Sequence, residues 1–194
     1  MLRVISRSSE PAVSLEEIKD HLKRTDTEED DALIERYTNA GTRWAENFLG
    51  LALADTTYDY YFSYPDGVGS YGREILIPRG PLLEVSGVFY RDGGEGEFSG
   101  YLVDYEYPRI FLSSSGSWPT VDSGANNGRI RFRAGFVDES SPGVVNSVPE
   151  DIKAAIQLYT AALYEVREAN SQGFKAPWGA EQLLRMYRIE TSMA

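Results

Sequence analysis

The 194-residue chain carries 30 Asp and Glu against 19 Lys and Arg, a formal charge of −11, with 42% hydrophobic and 25% charged residues. That is enough chain for one core, or one core holding out a sizeable insert, and the composition is ordinary for a globular protein. The absence of Cys and the single His exclude disulfides, thiolate metal sites and a Cys–His nucleophile, and they disfavour zinc. No cofactor or metal is expected. The acidity, with no basic stripe, argues against a protein that grips DNA through phosphate contacts. No apolar run approaches a membrane span, and MLRVISRSSEP lacks an apolar signal core, so no membrane partner is expected.

Residues 1–12 are polar and end in Pro11; they read as a flexible arm that orders only against a neighbour. Ser14-Leu15-Glu16-Glu17 is a capping box, with Val13 and Ile18 at the hydrophobic-staple positions. These signals predict a helix over 15–24 with Leu15, Ile18 and Leu22 buried. Thr27, followed by Glu28, Glu29, Asp30 and Asp31, reads as the start of a second helix, since acids favour a first turn. Its apolar positions Leu33, Tyr37, Ala40, Trp44 and Phe48 recur at helical spacing, flanked by Ile34, Gly41 and Ala45. Gly41 inside a helix suggests a close helix–helix approach, and Gly50 is a suitable terminator.

A Gly- and Tyr-rich segment follows. It reads as short strands at 57–63, 74–78, 85–91, 98–103, 109–112 and 129–134, separated by turn signals. Asp92-Gly93 marks a hairpin turn lengthened by Gly94 and Gly96. Residues 65–72 and 113–128 read as long loops. Ser147 and Glu150 offer a second capping-box spacing, Pro149 suits a first turn, and a helix is predicted over 148–167 with Ile152, Ile156, Tyr159, Leu163 and Val166 on one stripe. A last helix over 178–188 carries Leu183, Leu184 and Tyr187. Neither helical pair makes a core alone. The predicted class is therefore α+β: a helical bundle built from the N-terminal and C-terminal helices, with an antiparallel β-rich insert between them. The boundaries are an arm at 1–12, a helical body at 13–50 and 148–190, an insert at 51–147, and a flexible tail at 191–194.

Chemistry-bearing patterns are sparse. His21 lies on the flank of the first helix, with no nucleophile elbow to serve. The acidic run 26–31 lacks the ligand alternation and central Gly of a calcium loop, and helix capping accounts for it best; a negative surface facing DNA or a basic partner is the alternative. Gly93, Gly94 and Gly96 have no Lys and no following helix, so they read as a turn and not as a phosphate cradle. Arg129, Arg131 and Arg133 share one strand face, read as solvated or as a subunit contact. Tyr58, Tyr60, Tyr61 and Phe62 crowd one strand; alternation places Tyr58, Tyr60 and Phe62 together. Large amphipathic aromatics suit a core, an interface or a sugar-stacking platform.

The run Val13-Ser14-Leu15-Glu16-Glu17-Ile18-Lys19-Asp20-His21-Leu22, then Asp31-Ala32-Leu33-Ile34 and Trp44-Ala45-Glu46-Asn47-Phe48-Leu49-Gly50, resembles the head–tail connector (adaptor, head completion) proteins of tailed phages of the HK97 type. The order of the later pieces agrees: Ile77-Pro78-Arg79-Gly80-Pro81-Leu82, Ser117-Trp118-Pro119, Ala134-Gly135-Phe136, Val148-Pro149-Glu150-Asp151-Ile152, Tyr164-Glu165-Val166-Arg167 and Pro177-Trp178-Gly179-Ala180-Glu181. The resemblance spans about residues 13–190, and the β insert resembles the longer branch of that family.

The resemblance implies a structural, non-enzymatic virion protein of a phage or prophage. It implies assembly in the bacterial cytoplasm into a ring of about twelve copies at the head–tail junction. The partners implied are other copies of the chain, the portal protein and a tail-side completion protein, with DNA passing through without specific binding. Twelve copies at −11 carry about −130, and an acidic wall repels phosphate. Glu28, Glu29 and Asp30 are then candidates for the channel face. Tyr37, Trp44, Tyr58 and Tyr60 are candidates for the subunit interface, and Tyr187, Arg188 and Ile189 begin a tail expected to dock on the portal. The competing readings are a carbohydrate-binding or host-recognition module on the Tyr-rich segment, and an enzyme with paired carboxylates.

Overall fold

The computed structural model describes all residues except 25–27, 64–73, 115, 139–144, 167–174 and 189–194. The chain divides into two units. One comprises Met1–Ser8 and Ala54–Phe136, the other Ser9–Leu53 and Val137–Ala194. Four helices and antiparallel sheets give the α+β class expected from the sequence.

In the helical unit, α1 (Leu15–Leu22) opens on the capping box read from the sequence: the Ser14 hydroxyl accepts from the Glu17 amide, and the Glu17 carboxylate accepts from the Ser14 amide at 2.7 Å. Such a cap is worth about 1 kcal/mol. Burial raises the Glu17 pKa, but the Ser14 hydrogen bonds and the Lys153 ammonium outweigh it and hold the carboxyl below its ordinary value. The second helix, α2 (Asp31–Leu49), begins later than its acidic run suggests. Asp30 is its N-cap residue, Glu28 and Glu29 precede it in a turn, and Thr27 lies outside the described residues. Gly50 closes it in the left-handed conformation at φ 72°.

The buried face of α2 is rotated from the stripe of its largest side chains. Ile34, Thr38, Gly41, Thr42, Ala45, Glu46 and Leu49 are buried, whereas Leu33, Tyr37, Trp44 and Phe48 are half-buried and Ala40 is exposed. The reason is the close approach at Gly41: a Cβ there would lie 3.2 Å from Thr160 Oγ1 and 3.4 Å from the Ile156 carbonyl oxygen. Small residues let α2 and α3 (Glu150–Glu165) come together. Thr38 and Thr42 satisfy their hydroxyls on the carbonyls one turn back, and buried Glu46 accepts from the Leu53 amide at 3.0 Å. The expected capping box at Ser147 is absent: Pro149 is itself the N-cap residue of α3, with no side-chain cap. Lys153 pairs with Glu17 of α1, and Lys19 with Asp31 of α2. The last helix, α4 (Trp178–Arg185), buries Ala180 and Leu184 and ends a turn earlier than expected. A short ladder, β9 (Val137–Asp138) with β10 (Val145–Asn146), leads into α3.

The β unit holds two sheets. The five-stranded sheet runs β1 (Leu2–Arg7), β2 (Thr56–Phe62), β8 (Gly128–Ala134), β4 (Leu82–Arg91), β5 (Glu95–Phe98), every pairing antiparallel. The three-stranded sheet runs β3 (Glu74–Leu76), β7 (Arg109–Leu112), β6 (Tyr101–Asp104). Central β8 reads buried at every second residue, with Ile130, Phe132 and Ala134 inside and three Arg on the other face. Two expectations are corrected here. The single strand over 98–103 is two strands in different sheets, parted at Ser99-Gly100. Within the arm expected at 1–12, Leu2–Arg7 form strand β1, with backbone bonds from Tyr61 N to Met1 O at 2.8 Å and from Ser8 N to Asp55 O at 2.8 Å. Its polarity suits an edge strand, which can be solvated on both faces.

Candidate assembly surfaces

The acidic start of α2 divides in two. Glu28 and Glu29 are exposed, but Asp30 is half-buried and its carboxylate accepts a short hydrogen bond from the Tyr164 hydroxyl of α3. Asp30 therefore ties two helices together. The aromatic stripe of α2 lies over α3: Trp44 stacks on Tyr159 with ring centroids 4.4 Å apart and touches Phe48 at 5.9 Å. One face of Trp44 is thus used within the unit, while Tyr37 and Trp44 stay half-exposed.

Tyr58 does not stand at a surface. It is 5% exposed and stacks on Phe132 at 5.3 Å, within the core of its own sheet. Tyr60 is half-buried beside Phe62, at 5.9 Å. On the aromatic face of β2, Tyr58 and Phe62 are turned inward and Tyr60 is half-buried. The apolar cavity nearby, lined by Phe62, Val88, Phe98, Trp118 and Val121, has about 20 Å³, room for roughly one water.

The three Arg of β8 are consumed within the sheet. Asp59 of β2 is 3% exposed. It accepts from Arg131 Nε at 2.8 Å and Nη2 at 2.8 Å, and from Arg129 Nη1 at 3.3 Å. Arg129 also reaches Glu95 at 2.6 Å, and Arg133 reaches Asp55 at 2.7 Å. The paired hydrogen bonds from Arg131 hold the Asp59 carboxyl below its ordinary pKa, against the opposing effect of burial. A carboxylate seated between two guanidiniums explains why the Arg run does not act as a basic patch. The sequence placed the three Arg on one face but gave no sign that Asp59, some seventy residues away, would meet them.

At the C-terminal end, the Tyr187 hydroxyl donates to Asp151 Oδ2 at 3.0 Å, and Arg188 lies over the Phe48 ring at 5.6 Å. These two residues are held by their own helical unit; Ile189 lies outside the described residues. The most exposed large apolar side chains near this end are Trp178 at 76% and Met186 at 70%. Trp178 was visible in the sequence only as part of a Pro-Trp-Gly motif with no assigned role. His21 is exposed on α1.

Charge is unequally shared. The helical unit has 19 acidic and 10 basic residues, a balance of −9; the β unit has 11 and 9, a balance of −2.

Residues 12–78 match the family model described as phage gp6-like head-tail connector protein. No curated protein matches the chain. Solved structures share the fold. One is a chain from the neck of an empty GTA particle computed with C6 symmetry, with 23% identity, a TM-score of 0.72, and coverage of 97% of this chain and 95% of that one. A second is a chain from the virion of the native gene transfer agent particle, with 22% identity, a TM-score of 0.74 and coverage of 97% and 95%. A third comes from the neck of the native GTA particle computed with C12 symmetry, with 23% identity, a TM-score of 0.74 and coverage of 97% and 94%. The chain therefore carries the gp6-like head-tail connector signature over residues 12–78, and over nearly its whole length the fold of gene transfer agent neck chains.

Proposed function

We propose that this protein is a ring-forming connector at the head–tail junction of a phage or phage-like particle. About twelve copies would extend the DNA channel below the portal and offer a platform to the next tail-side component. The observation that carries the reading is the coincidence of the connector signature at residues 12–78 with a fold shared with neck chains across 97% of the length. The site's chemistry is in keeping with it: ion pairs tie elements of each unit together, and the helical unit holds most of the negative charge. The same reading has the helical unit, with Glu28 and Glu29, facing DNA, where acidic walls repel phosphate and let the duplex slide. Tyr37 and Trp44 on the half-open face of α2 are its proposed subunit contacts. The proposal gives the chain no catalytic role.

Light scattering across a concentration series, with micrographs of the same sample, tests the ring. A mass of about twelve subunits with ring-shaped particles is the expected result. A strict monomer that also fails to assemble on purified portal would sink the proposal.

Portal docking is proposed for the segment beyond Tyr187. Deleting residues 188–194 should leave the helical signal of the protein intact and weaken co-sedimentation with portal at least tenfold, about 1.4 kcal/mol. Unchanged co-sedimentation would exclude this segment as the docking element.

A further inference from the structure

The two edges of the five-stranded sheet complement each other. With five strands all paired antiparallel, edge strands β1 and β5 run in the same direction. Cyclic symmetry preserves strand polarity, so β1 of one copy can lie beside β5 of the next as a parallel pair, a heterologous contact that repeats around a ring. Among the described residues no strand pairs with the outer side of β1 or of β5, and such an edge offers N–H and C=O groups for addition.

The side chains agree on both faces. Following the register across the sheet, Arg3, Asp59, Arg131, Arg129, Phe89 and Glu97 share one face. Leu2, Tyr60, Ile130, Val88 and Phe98 share the other, and Val4 lies on the side of Leu2. Joining β1 to β5 of a neighbour would set exposed Arg3 beside exposed Glu97, and Val4, 53% exposed, beside half-buried Phe98. The alternative twofold contact, β1 against β1, would offer Arg3 no carboxylate, since LRVISR contains none. A register shift between Val4 and Ser6 limits the straight run of β1 to its first residues, comparable with the four residues of β5. A belt of about sixty strands, spaced about 4.8 Å apart, would close at roughly 90 Å across, wide enough to enclose a channel.

We infer that β1 of each copy docks by strand addition on β5 of the next copy, so that the subunits of the ring share a continuous β-seam. This inference rests on the ring reading above but can fail without it.

The test uses the full chain in two charge-reversed forms. Arg3→Glu alone would face Glu97 with a like charge, and Glu97→Arg alone would face Arg3 with a like charge. Each should raise the concentration needed for assembly about tenfold or more at low salt. An equimolar mixture of the two can alternate around a ring so that every seam is again complementary, and should restore assembly to near the wild-type midpoint. That restoration also shows that both variants are folded. If Glu97→Arg assembles like the wild type, or the mixture stays unassembled while the wild type forms rings, the seam is overturned and the ring stands. A wild type that never assembles, with or without portal, overturns both.

Discussion

Asp59→Ala should lower the unfolding free energy by about 3 kcal/mol, read as a shift of the urea midpoint at unchanged slope. The cause is not the loss of one contact. Asp59 is buried against Arg131 and Arg129, neighbours on one face of β8, and removing the carboxylate takes away both hydrogen bonds of Arg131 and leaves Arg129 with Glu95. Arg131 is 40% exposed at its side chain and Arg129 12%, so water relieves part of the cost, and the expected figure lies at the low end for a broken buried pair. The same pair gives a pH signature. The folded carboxyl titrates below its ordinary value near 3.8, so its contribution is fully present above about pH 5 and is lost as pH falls through 4 toward the folded pKa. Stability of the wild type should therefore decline with acid over that window, and Asp59→Asn should show a shallower decline. Equal acid slopes for the two proteins would show that Asp59 is not the anchor described.

Gly135→Ala should cost about 3 kcal/mol or more, measured the same way. Two effects add. Gly135 has φ of +150°, a conformation side-chain-bearing residues rarely adopt, and an added Cβ would lie 2.7 Å from the Ala54 carbonyl oxygen and 2.9 Å from the Asp55 Cα. Those are backbone atoms that cannot swing aside. Asp55 is held by the Ser8 amide on its carbonyl and by Arg133 on its carboxylate, and the Gly135 amide is itself bonded to the Pro81 carbonyl at 3.0 Å. Gly94→Ala is the control: nothing lies within 4 Å of its would-be Cβ, so its stability should change by less than about 0.5 kcal/mol. If the two variants unfold at the same urea concentration, the close approach at Gly135 is not what fixes this corner.

Local signals specify structure where they are complete within a few residues. The capping box at Ser14 and Glu17 stands as expected, because its donors and acceptors are three residues apart in any helix. The Gly50 terminator and the alternation of β8 stand for the same reason. Local signals do not suffice where they compete with partners elsewhere in the chain. The acids before Asp31 look like a first turn, yet Asp30 is held at the N-cap with its carboxylate on Tyr164. The largest side chains of α2 look like its buried stripe, yet the buried positions include Gly41, Thr38, Thr42 and Ala45, because at Gly41 the backbone of α2 comes close to Thr160 and Ile156 of α3 and leaves no space for a side chain there.

By itself, the sequence determined the class of the fold, the start of α1 with its cap, the strand alternation of β8, and a chemical inventory without Cys and with a single His. These follow from residue identity and short spacing alone. Only the tertiary structure decided which charges are spent internally and which surfaces remain. Asp59 meets Arg131 from 72 residues away, Tyr58 goes inside, and residues 2–7 become an edge strand because β2 supplies its hydrogen bonds. Long-range pairing decides such matters, since a buried charge or a free strand edge is defined by what lies opposite it, and no window of local sequence contains that partner.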